Sequence, residues 1–97
     1  MTTHKAVAMG MRLLWRHGLY RWTVRVDRLE PEEVGRCCYR ERCILLDHSV
    51  LDCSRYRIRH VLLHEIAHVL AGREAPHDEC WRAVARLLAA RGVSPDA

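Results

Sequence analysis

Apolar positions recur at helical spacing between Ala6 and Leu14, where Val7, Met11 and Leu14 share a face with Met9 and Leu13 beside them. Thr2 or Thr3 is placed to cap this helix and Gly18 to stop it, while Gly10 inside it costs about 1 kcal/mol relative to Ala. The pattern then changes period. Trp22, Val24 and Val26 alternate with Thr23, Arg25 and Asp27, the signature of a half-buried strand. Pro31, Glu32 and Glu33 make a turn, and VGRCCYR and CILLDHSV read as two further strands joined around Arg40 to Arg42. Three strands in succession predict a meander, a three-stranded, mostly antiparallel sheet.

A longer helix follows from about Arg55 to Ala71, capped by Asp52 or Ser54 and ended by Gly72. Val61, Leu62, Leu63, Ile66, Ala67, Val69 and Leu70 make it apolar on nearly every side, so it should lie in the centre of the fold. Residues 72–77 read as a loop. Trp81, Val84, Ala85 and Leu88 give one face of a last helix stopped by Gly92. The expected architecture is α+β: an N-terminal helix, the sheet, the central helix and a C-terminal helix. At 97 residues this is one domain, covering 1–97.

Composition narrows the function classes. Half the chain is apolar and 29% is charged, which excludes intrinsic disorder. Sixteen basic against twelve acidic residues leave +4, suited to an acidic partner without requiring one. All the cations but Lys5 are arginine, the better fork for phosphate or carboxylate. Five cysteines, an opening MTTHKA without signal-peptide character and no uncharged run near the roughly 20 residues of a membrane helix predict a soluble protein of the reducing cytoplasm.

The central helix carries His64-Glu65-Ile66-Ala67-His68, an H-E-x-x-H motif. Residues four apart share a helix face, so two imidazoles can grip one Zn²⁺ while Glu65 lies beside its open position. Burying two His and a Glu in apolar sequence costs several kcal/mol unless they pair or bind metal. A catalytic zinc takes a third protein ligand, for which Glu74, His77, Glu79 and Cys80 are the downstream candidates. His77, after a loop and at the start of the last helix, is favoured. Ala71 and Glu74 occupy the positions where a metzincin would have Gly and His, which excludes that family. His60 stacks one turn before His64 and reads as a helix-surface or supporting residue; His4, His17 and His48 read as exposed or loop histidines without a metal role.

WTVRVDR, VGRCCYRERCILLDHSV, RIRHVLLHEIAHVLAG and HDECW together resemble a SprT-like (Spartan-type) zinc metallopeptidase domain. The resemblance implies a minimal zincin-like fold, zinc held by His64, His68 and His77, and Glu65 as the general base that activates water for peptide-bond hydrolysis. It also implies protein or peptide substrates bound or crosslinked to DNA, which would place the protein at a nucleoid or in a nucleus. Two departures stand out: Asp78 where the family commonly has Gly after its third His, and no Cys-rich zinc ribbon or DNA-binding segment before Ala97. Any DNA contact would then use the domain's own arginines, Arg12, Arg16, Arg21 and Arg25 or Arg55, Arg57 and Arg59, which otherwise form a solvated basic face.

Cys37, Cys38, Cys43 and Cys53 lack paired metal-site spacing and read as buried free thiols, and Cys80 as core. Trp15, Trp22 and Trp81 read as core rather than as base-stacking platforms. The reading of a different class is a non-catalytic zinc-stabilised module that binds DNA or protein, its fourth coordination position closed by Cys80 or Asp78. Glu65 argues against it, since a structural site has no use for a base.

Overall fold

The computed structural model of the chain describes residues 1–72. The expected loop at 72–77, the last helix, and with them Glu74, His77, Asp78, Glu79, Cys80 and Trp81 lie outside the described residues except for Gly72.

Helix α1 spans Thr3–Arg16, strands β1, β2 and β3 span Thr23–Asp27, Gly35–Cys38 and Cys43–Asp47, and helix α2 spans Arg55–Ala71. Thr2 caps α1 by accepting from the Lys5 N–H at 3.1 Å, and Gly18 follows its end with φ +74°. Ser54 caps α2 by accepting from the Arg57 N–H at 3.1 Å, so Ser54 rather than Asp52 starts the helix. The Gly72 N–H closes its far end on the His68 carbonyl at 3.0 Å.

The α+β class stands, but the sheet is mixed rather than a mostly antiparallel meander. Its order is β1-β3-β2: β3 pairs antiparallel with β2 and parallel with β1, Val24 opposite Ile44 and Val26 opposite Leu46. The reason lies in the burial of each segment. CILLD is buried at all five positions, whereas β1 alternates and β2 is half-buried throughout. The strand that must hide both faces takes the centre, and the two that tolerate water take the edges.

Asp47 secures the crossover this order requires. Its carboxylate accepts from the Leu29 N–H at 2.9 Å, in the connection between β1 and β2, and from the Ser49 N–H at 3.1 Å. The second bond caps a 3-10 turn over His48–Asp52, so the expected third strand ends at Asp47 instead of running to Val50. The Ser49 hydroxyl and the Leu29 amide hold the Asp47 carboxyl down at about 2.

Both helices pack on the sheet, α1 against β1 and α2 against β2 and β3, with each other as neighbours. Leu14, Ile44, Leu46, Ile58, Leu62 and Ile66 are its largest fully buried side chains. Gly10 sets how close the layers come. A Cβ there would lie 2.6 Å from Val24 Cγ2 and 3.1 Å from Leu62 Cδ2, so its cost in helix propensity is repaid in packing. Trp22 is half-buried and packs against the core, but Trp15 is 60% exposed and stands edge-on to the exposed Tyr20. The expectation of a core Trp15 fails because α1 is amphipathic and places residue 15 on its outer face.

Candidate metal and catalytic site

The long apolar run buries α2 on several sides, and the helix packs against β2 and β3 as well as α1. One helical turn separates His64 from His68, and both are half-buried. Their Nε2 atoms approach to 3.3 Å, with ring centroids 5.0 Å apart and planes inclined at 70°. Two nitrogens bound at 2.0–2.1 Å to a tetrahedral zinc are held about 3.3–3.4 Å apart. The separation of the pair is that of two ligands on one metal ion.

Glu65 approaches Gly35 of β2 and is 7% exposed. It lines a cleft of about 200 Å³ with Glu32, Glu33, Val34, Gly35, Val61 and His64. Burial pushes its carboxyl up to about 7, and the nearby charge of Glu33 adds to the shift. A carboxyl balanced near neutrality can both take and return a proton. Cys37 follows Gly35 by two residues and so shares its face of β2. Burial raises the Cys37 thiol to about 12, leaving it a neutral neighbour.

Tyr39, just after β2, donates its hydroxyl hydrogen to the His68 carbonyl at 2.8 Å, with the Gly72 carbonyl at 3.4 Å, and its ring stands edge-on to Trp22. This ties the β2–β3 turn to the last turn of α2, where the second His sits.

Among the described residues no three His, Cys, Asp or Glu side chains form a metal-binding group. His60 does not join the histidine pair. It is 7% exposed, which corrects the helix-surface reading, and it meets the ring of Tyr56 edge-on at 6.2 Å. Nor do Cys37, Cys38, Cys43 and Cys53 build a second centre: Cys43 is buried, Cys37 and Cys38 are half-buried, and Cys53 is exposed, contrary to the expectation of a buried thiol. His4 and His48 are exposed as expected, but His17 is half-buried with its Nδ1 2.8 Å from the Leu13 carbonyl. Gly35, Glu33 and Tyr39 went unnoticed in the sequence. Only Gly35 carried a signal, since glycine inside a strand marks a close approach of another element.

Comparison with known proteins gives the fold and the family. No curated protein matches the chain. Its fold is similar to that in the crystal structure of the metallopeptidase zymogen of Pyrococcus abyssi abylysin, with a TM-score of 0.61, 18% identity, and coverage of 96% of this chain and 98% of that one. The SprT-like family profile matches residues 10–96, which include α2 and both edges of the cleft. With that match running over most of its length, the chain belongs to the SprT-like family.

Proposed function

We propose that the protein is a zinc-dependent peptidase in which His64, His68 and His77 hold the metal and Glu65 is the general base. The observation that carries this reading is the histidine pair at the spacing of two zinc ligands beside a buried carboxyl poised near neutrality. Zinc held there would polarise the scissile carbonyl and make water acidic enough to attack near pH 7.

The chain's own residues do the rest. Glu65 takes the proton as the water oxygen bonds to the carbonyl carbon, then hands it to the departing nitrogen as the C–N bond breaks, leaving a carboxyl and an amine. The wall of Val61 and β2 keeps Glu65 short of bulk water, which holds its proton affinity up. Strand β2 is an edge of the three-stranded sheet and lies along the cleft, so an extended peptide can add to it by backbone hydrogen bonds.

The family resemblance supports proteins bound or crosslinked to DNA as the substrate class, and the arginine-rich surface supports a DNA contact. No described helix is long and apolar enough to cross a membrane. Glu65→Gln tests the catalytic step. The variant should keep its zinc and lose cleavage of an unfolded protein substrate by about 10²-fold or more. Unchanged cleavage would leave the zinc a structural role.

A further inference from the structure

The sequence scatters its arginines along α1 and the start of α2, but the fold gathers only some of them. Arg12 and Arg16 from α1 and Arg55 and Arg59 from α2 line one cleft of about 90 Å³, floored by Met9 and Leu13, both buried. We propose that this cleft is a phosphate-binding site, distinct from the zinc-peptidase site and independent of it. Arg55 begins α2 and lies about 13–14 Å along the helix axis from His64.

Three observations support it. Each helix contributes a pair of arginines four residues apart, so like charges face each other both within and between helices, a placement that stability alone disfavours. The first turn of α2 contains no acidic residue, and Arg55, Arg57 and Arg59 meet the positive end of the helix dipole. Among the described residues, no carboxylate lies within ion-pair distance of any of the four, although Arg25 and Arg36 each hold a glutamate. Four guanidiniums with no carboxylate partner among the described residues, set over Met9 and Leu13, are the complement of a phosphate oxyanion. The cleft's small volume suits one phosphate group rather than a whole nucleoside.

That phosphate could come from a nucleic-acid backbone or from a small phosphorylated molecule, and the binding chemistry is shared. The test uses the full chain, with pyrophosphate and an unphosphorylated single-stranded oligodeoxynucleotide as probes at constant ionic strength. Pyrophosphate should bind, with affinity falling about tenfold or more in R12Q/R59Q and by less than about twofold in the control R28Q/R40Q, two exposed arginines away from the cleft. If R12Q/R59Q does not fold, R12K/R59K keeps the charge and loses the fork, and should weaken binding several-fold. An oligonucleotide that pyrophosphate displaces, with the same dependence on Arg12 and Arg59, identifies the backbone as the source. Pyrophosphate binding that needs Arg12 and Arg59 without an oligonucleotide that does identifies a small phosphorylated ligand. Binding of neither probe, or equal loss in the two glutamine double variants, would overturn the proposal.

Discussion

Gly35 lies where any side chain would meet Glu65. A Cβ at position 35 would stand 3.1 Å from Glu65 Cγ and 3.2 Å from its Oε2, with Val61 Cγ1 also at 3.1 Å. The strand edge and the proposed base are thus in contact, and the missing side chain is what lets them be. In Gly35→Ala the carboxylate must give way by a few tenths of an ångström, and small misplacements of a catalytic group are costly. We expect kcat/KM to fall about tenfold with zinc content unchanged, and Gly35→Val to fall further. Steady-state kinetics alongside metal analysis separates this from loss of the metal.

Tyr39 makes a prediction about the metal rather than the base. Its hydroxyl joins the β2–β3 turn to the His68 carbonyl, and Tyr39→Phe removes that bond while keeping the ring against Trp22. Stability should fall by about 1 kcal/mol, and zinc should be held more weakly because the last turn of α2 is less fixed. Thermal melts and competition with a chromogenic chelator measure the two effects.

Gly10→Ala tests the packing of the layers. Helix propensity alone favours Ala by about 1 kcal/mol. The 2.6 Å approach to Val24 Cγ2 predicts the opposite sign, a net loss of about 1–3 kcal/mol in denaturant unfolding. Pairing it with Val24→Ala should recover part of the loss, giving a coupling between the two sites in a double-mutant cycle.

Asp47 supplies a pH dependence. Its carboxyl is held at about 2 against an ordinary 3.8 because the Ser49 hydroxyl and the Leu29 and Ser49 amides favour the charged form. A depressed folded value means that its contribution is complete above the unfolded value and is lost as pH falls toward the folded one. Asp47→Asn keeps an acceptor but loses the charge, so it should lower stability at neutral pH, and the gap from the parent protein should close progressively below about pH 5. Urea unfolding at several pH values checks both the loss and its closing.

The two described helices are legible in the sequence because their signals are local. Thr2 and Ser54 cap them, glycine ends them, and the H-E-x-x-H spacing fixes which face of α2 carries the histidine pair. The sheet order was not legible. Val24 meets Ile44 across twenty residues of chain, and the period-2 pattern says which face of a strand is buried, not which strand lies beside it. Burial of every position in CILLD was the one available hint. Gly35 and Tyr39 act across the same long separations, so their relation to α2 appears only after folding. His60, Trp15 and Cys53 show the converse: residue type suggests an environment, and the face or turn on which it falls decides it.

The central claim is a zinc centre that α2 begins and His77 completes. Elemental analysis of protein purified without chelator, beside His77→Ala, tests it most directly. The account predicts one zinc per chain in the parent protein, and in the variant a site at least about tenfold weaker. A folded parent protein that binds no zinc, or a variant that keeps it undiminished, would contradict it.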